Sequence, residues 1–183
     1  MLDQNPWPLL LATPVLALLL FYSYTKRFTR WSHVVLGLGI AFAPVAAWIA
    51  IRPASLGAVA WCLMAAVTFW IAGFDLIYAC QDVAFDRENN LHSVPARMGI
   101  PAALALARVF HVFTAVLLVV VGFLANLGWL YFVGVGLAIA LLLIENAIVR
   151  PNDLSRVNLA FFTLNGAVGL MLGILGVCDI LMT

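Results

Sequence analysis

Charged side chains are scarce in this sequence. Of its 183 residues, 9% are Asp, Glu, Lys or Arg against 66% hydrophobic, and the mean hydropathy is +1.12. A water-soluble domain has roughly a quarter of its residues charged and about half apolar. This chain therefore cannot clothe a surface in water, and a soluble globular enzyme is excluded. Cysteine is sparse too. Cys62, Cys80 and Cys178 are an odd, scattered set in or at the end of apolar stretches, with no Cys-x-x-Cys pair, so neither a disulfide framework nor a zinc site follows. An excess of basic residues is missing as well: nine Lys and Arg stand against eight Asp and Glu, whereas a nucleic-acid partner requires a basic face. There is no internal repeat, low-complexity tract or soluble domain. What remains is an integral membrane protein.

The few charges partition the chain. Uncharged intervals of 22 residues separate Asp3 from Lys26 and Arg52 from Asp75; 21 separate Arg30 from Arg52, and 22 separate Arg156 from Asp179. A longer interval of 36 residues runs from Arg108 to Glu145, interrupted by the turn-like Asn126-Leu127-Gly128. About 20 helical residues cross a bilayer core of about 30 Å, so the long interval supplies two spans and the total is six. They are expected near 8–25, 32–51, 55–80, 102–124, 128–149 and 157–180. The runs are continuously apolar, which favours helices over a barrel of alternating strands. The first is no secretory signal, because its basic cluster Lys26-Arg27-Arg30 follows the apolar run rather than preceding it. Pro14 and Pro44 fall inside spans, where proline is tolerated.

Orientation follows from the basic residues. The first, third and fifth connections carry Lys26, Arg27, Arg30, Arg87, Arg97, Arg150 and Arg156, with Arg108 just inside the fourth span, and the opposite side has only Arg52. The excess places those three connections in the cytoplasm and both termini outside an inner, cytoplasmic membrane. The longest connection, roughly 81–101, is one of them, and long polar loops between packed spans tend to carry function.

Four of the eight acids crowd into 75–88: Asp75, Asp82, Asp86 and Glu88. At about 100° per helical residue, Asp82 and Asp86 fall roughly 20° to either side of Asp75. A third helix continued past its apolar part would carry three carboxylates in one stripe at its cytoplasmic end. Like charges at i and i+4 repel, so the stripe calls for a cation. Magnesium suits such hard oxygen ligands, bound by one or two carboxylates plus substrate phosphates. Alternatively, Asp82 and Asp86 form interfacial ion pairs with Arg87, Arg97 or the basic cluster after the first span. Tyr22 and Lys26, also i and i+4, lie level with the stripe by parity. They are either a phosphate-neutralising cation with its neighbour or an aromatic-belt and snorkelling pair. Arg108 with His111 either faces the mouth or flanks the interface. Glu145, Asn146, Asn158 and Asn165 fit helix–helix hydrogen bonding.

The stretch 73–99, Gly73-Phe-Asp75-Leu-Ile-Tyr78-Ala-Cys-Gln-Asp82-Val-Ala-Phe-Asp86 through Leu91-His92-Ser93-Val94-Pro95-Ala96-Arg97, closely resembles the second aspartate-rich motif of the UbiA family of intramembrane aromatic prenyltransferases. Asp75, Tyr78, Asp82, Asp86 and Ser93 occupy that motif's positions. Tyr22-Ser-Tyr-Thr-Lys-Arg27 looks like the family's tyrosine–lysine–arginine segment. The wording of 91–97 is most similar to the menaquinone-pathway and 4-hydroxybenzoate polyprenyltransferase-like branch. Asn90 stands where a glycine is expected; asparagine tolerates left-handed backbone.

The resemblance implies an all-α membrane bundle matching the last six of nine helices. It also implies transfer of a polyprenyl group from its diphosphate to an aromatic ring such as 4-hydroxybenzoate, in quinone biosynthesis. Asp82 and Asp86 would bind magnesium, Lys26 would add a cation, and Asp75 would orient the acceptor or complete the metal shell. Tyr22, Tyr78, His92, Ser93 and Arg97 would contact substrate. The family's first motif, Asn-Asp-x-x-Asp-x-x-x-Asp, has no counterpart here. The chain is thus expected to be a single transmembrane domain lacking three helices and half the metal shell, with weak turnover alone. The rival readings are a non-catalytic membrane module and a small cation transporter.

Overall fold

The computed structural model describes residues 5–182; Asp3, which bounds the first uncharged interval, lies outside them. The elements are helices: α1 (Trp7–Thr25), α2 (Ser32–Ile51), α3 (Ala58–Ala79), α4 (Val83–Glu88), α5 (Val94–Met98), α6 (Ile100–Leu124), α7 (Trp129–Ile148) and α8 (Asn165–Met182). No strand occurs among the described residues. Among the described residues six stretches are long and apolar enough to span a bilayer, in the order and near the bounds expected. Pro14 and Pro44 remain inside α1 and α2. In hydrocarbon every backbone polar group needs a partner, and a helix supplies it internally.

Two spans depart from a plain helix. The third starts at Ala58 rather than 55, because Pro53–Ser55 forms a 3-10 turn. At its other end it runs through a second 3-10 turn, Cys80–Asp82, into α4, giving a 31-residue rod, Ala58–Glu88. At ~1.5 Å per residue this rod is ~46 Å long, so its last turns emerge from a core of about 30 Å. The sixth span opens with a π-helical turn, Leu159–Leu164, before α8.

The central helix is α3, which packs most extensively against α2 and α6; α1 lies on α2, and α7 on α8. Glycines set the closest approaches. A Cβ at Gly37 of α2 would fall 2.3 Å from the Thr68 carbonyl oxygen of α3, and one at Gly73 of α3 would fall 2.4 Å from His111 Nε2 of α6. The resulting core joins Leu76, Ile77 and Val94 to Leu104, Phe110, Val149 and Val157. Outward faces carry large exposed apolar side chains such as Leu9, Leu20, Phe123, Leu143 and Leu181. In water that would be an aggregating surface, and in lipid it is the expected one.

Asparagines make two of the turns: Asn90 (φ 54°) and Asn126 (φ 51°) adopt left-handed backbone, and the first occupies the position where the motif expects glycine. Between α7 and the π turn, Asp153 accepts a hydrogen bond from the Ser155 backbone N–H at 3.0 Å. The Ser155 side chain, then this backbone bond, and Arg156 and Arg150 nearby hold its carboxyl below the ordinary aspartate range.

At the opposite end of the bundle, Asp179 of α8 caps α7. Its carboxylate accepts from the backbone N–H groups of Gly128 (2.6 Å), Leu130 (3.1 Å) and Tyr131 (3.2 Å). Orphan donors and a partial positive charge gather at a helix N-terminus, so a carboxylate there is well placed. Asp179→Ala is expected to lower stability by about 1–2 kcal/mol, and Asp179→Asn by less. Thermal unfolding in detergent reads the difference.

Candidate active site

The site is assembled at the end of the bundle where α1 ends and the long rod emerges. Lys26, the sequence's only lysine, is the C-cap residue of α1. Its Nζ lies 3.4 Å from Asp86 Oδ2 and 4.0 Å from Asp82 Oδ2. The two acids are neighbours across one turn of the rod, and the ammonium between them offsets their repulsion. Their settings differ. The Asp86 side chain is 1% exposed and that of Asp82 45%. Buried Asp86 therefore depends on its partner far more than Asp82 does.

The loop 89–93 is laced onto this cluster by main chain. The Leu91 N–H donates to the Asp86 carbonyl at 2.7 Å, and the His92 N–H to the Lys26 carbonyl at 2.6 Å. Arg87 Nε donates to the Ala96 carbonyl at 3.1 Å and steadies α5. Of the ion pairs considered from sequence, it is thus Lys26 of the basic cluster that takes the acids.

Asp75 is held elsewhere. Its Oδ2 lies 2.6 Å from His33 Nδ1, with His33 buried at 1% exposure and Asp75 at 20%. Of the three acids of the expected stripe, Lys26 takes two and His33 the third. A 3-10 turn at Cys80–Asp82 lies between Asp75 and the later pair and departs from the 100° per residue assumed for the stripe. Among the described residues no group of three or more His, Cys, Asp or Glu side chains stands together as a metal cage. Asp82 and Asp86 nonetheless present paired hard oxygen donors. That donor set fits a magnesium ion completed by water and substrate phosphate.

The remaining expected residues spread around this core. Tyr78 packs its ring on Phe161 at 4.4 Å between centroids. Ser93, fully buried, keeps an Oγ without a hydrogen-bond partner, a polar atom that calls for a ligand or water. Tyr22 is half-buried beside Thr25, whose hydroxyl donates to the Tyr22 carbonyl. His92 is half-buried, and Arg97 is exposed. Among the described residues neither side chain hydrogen-bonds or pairs with the carboxylates.

Two residues escaped the sequence reading. His33 had a usable signal, an ionisable side chain inside an apolar run. Phe161 had none, because the π-helical turn that aims it at Tyr78 leaves no trace in the apolar pattern.

Fold and site together define a multi-pass helical membrane protein with two aspartates on one lysine at one end of the bundle. Residues 2–167 match the UbiA prenyltransferase family. The chain belongs to that family. A 4-hydroxybenzoate octaprenyltransferase from Methylobacillus flagellatus is 31% identical over 152 residues, covering 83% of this chain and 51% of that protein. The mitochondrial 4-hydroxybenzoate polyprenyltransferase of Arabidopsis thaliana is 30% identical over 138 residues, covering 75% and 34%. The apo structure of a UbiA homolog from Aeropyrum pernix K1 matches with a TM-score of 0.82 at 31% identity, over 96% of this chain and 65% of that one. The chain spans about half the length of the curated relatives it matches.

Proposed function

We propose that this chain binds a polyprenyl diphosphate at Lys26, Asp82 and Asp86 and serves its transfer to an aromatic acceptor of the 4-hydroxybenzoate kind. The observation that carries the reading is the convergence of both carboxylates on one ammonium at the membrane boundary. A magnesium ion on Asp82 and Asp86 would neutralise charge developing on the departing diphosphate. Lys26, drawn from the carboxylates, would turn its cation to a phosphate oxygen. Buried Ser93 offers a hydroxyl donor from the loop above. Asp75 lies seven residues, ~10 Å of helical rise, deeper along the span. His33 holds one of its oxygens, so its orientation is set and the acceptor ring is positioned below the diphosphate. The allylic carbon–oxygen bond breaks, a ring carbon takes the prenyl group, and the ring loses its proton. The excess of basic residues on these connections supports a site on the cytoplasmic side of the membrane, and the prenyl tail would lie among apolar helix faces.

The test is thermal unfolding of the purified chain with geranyl diphosphate, followed by product formation with 4-hydroxybenzoate in membranes. Stabilisation is expected only when magnesium and diphosphate are present together, and EDTA is expected to abolish it. His33→Leu is expected to leave that stabilisation in place and to weaken use of the acceptor. Equal melting temperatures with and without magnesium and diphosphate would sink the reading.

A further inference from the structure

A separate cavity, of about 460 Å³, lies between α6 and α7. These helices are clamped at their joining turn. A Cβ at Gly122 would lie 2.7 Å from the Tyr131 and Phe132 rings, and the Tyr131 hydroxyl donates to the Leu118 carbonyl at 2.8 Å. Toward their other ends the space between them is graded in polarity. Arg108, His111 and Ala115 line it from α6 at i, i+3 and i+7; Ile139, Leu143 and Asn146 line it from α7 at i, i+4 and i+7. Arg108, His111 and Asn146 make the polar end, and Asn146 Nδ2 donates to His111 Nδ1 at 2.6 Å. The rest is apolar.

Depth and charge decide what this shape fits. The 20 residues of α7 rise ~30 Å, one hydrocarbon thickness. Asn146, two residues from its end, therefore sits at the boundary, and Arg108 shares that level. Arg108 is exposed and has no hydrogen bond or ion pair among the described residues. Glu145, one residue from Asn146, is fully buried with neither oxygen hydrogen-bonded, so it is no counter-ion for Arg108. A guanidinium at the edge of hydrocarbon needs an anion from its surroundings, and it matches phosphate with two parallel donors.

We infer that this groove seats an anionic glycerophospholipid. The phosphodiester meets Arg108, the ester region passes the His111–Asn146 pair, and one acyl chain runs along Ala115, Ile139 and Leu143 toward the clamp.

The test is native mass spectrometry of the chain taken from vesicles of equal parts phosphatidylcholine and phosphatidylglycerol. Phosphatidylglycerol is expected to be retained ~5-fold over phosphatidylcholine, the scale of one basic residue on an anionic lipid. Arg108→Gln is expected to bring the two to parity, and Arg108→Lys to keep part of the preference. Ala115→Trp, which fills the groove while sparing Arg108, is expected to lose both lipids. Equal retention by the unmodified chain overturns the inference, and that arm needs no variant to fold. Displacement of phosphatidylglycerol by inorganic phosphate, or by geranyl diphosphate, overturns it equally by assigning the arginine to another anion.

Discussion

On the proposed function, Asp86→Asn is expected to reduce magnesium-dependent prenyl transfer ~100-fold or more, the scale of losing one preorganised electrostatic partner of a leaving group. The substitution keeps the shape of the side chain and removes its charge. The buried end of the Lys26 bridge is then lost, leaving the ammonium only Asp82, half-exposed at 4.0 Å. Removing one member of a buried ion pair costs about 3–5 kcal/mol where the survivor stays buried. Lys26 is 26% exposed and can turn toward water, so the stability loss falls at or below the low end of that range. Asp82→Asn separates the two effects. Its exposed pair contributes less than about 1 kcal/mol, so the melting temperature stays close to that of the parent while magnesium–diphosphate stabilisation disappears. Kinetics in membranes and unfolding in detergent on both variants check this.

Gly37→Val should give the largest loss of stability. The Cβ of any larger residue would lie 2.3 Å from the Thr68 carbonyl oxygen and 3.2 Å from the Thr68 carbonyl carbon and the Ala72 nitrogen. All three atoms are backbone of α3, so no side chain can swing away and the helices must part. Overpacking of this kind costs about 3 kcal/mol or more. The damage is not confined to packing. His33 lies one turn before Gly37 on α2, and a displaced α2 carries its imidazole away from Asp75. Gly166→Ala is the control, because nothing lies within 4 Å of the added atom; it is expected to stay within about 1 kcal/mol of the parent. Denaturation in mixed micelles, with the His33–Asp75 contact followed by imidazole NMR, measures both consequences.

Spans are written in one dimension, and that part of the architecture was readable. Charges at Arg30, Arg52, Arg108 and Arg156 bracket apolar runs whose lengths match a bilayer, and the helices fall within a few residues of them. That Lys26 shares one end of the bundle with Asp82 and Asp86 was readable too, because an odd number of crossings separates them from the other face. Asn90 announced a left-handed turn. What was hidden depends on contacts across helices or on departures from a regular helix. Periodicity assumes one angle per residue, so a 3-10 turn at Cys80–Asp82 shifts every residue beyond it relative to Asp75. Aspartate 75 then finds a histidine 42 positions earlier, a partnership that arises only because Gly37 lets α2 come so near α3. The π-helical turn at Leu159–Leu164 is as apolar as the α-helix it interrupts, which is why Phe161 could not be foreseen beside Tyr78.

The carboxylate at position 179 has a bearing on biogenesis. Because α7 precedes α8 in the chain, the turn at 125–128 and the start of α7 enter the membrane before Asp179 does. During that interval the amides of Gly128, Leu130 and Tyr131 have only interfacial water for partners. Crossing of α8 brings up the acceptor for all three together, so one carboxylate closes the start of α7 in a single step.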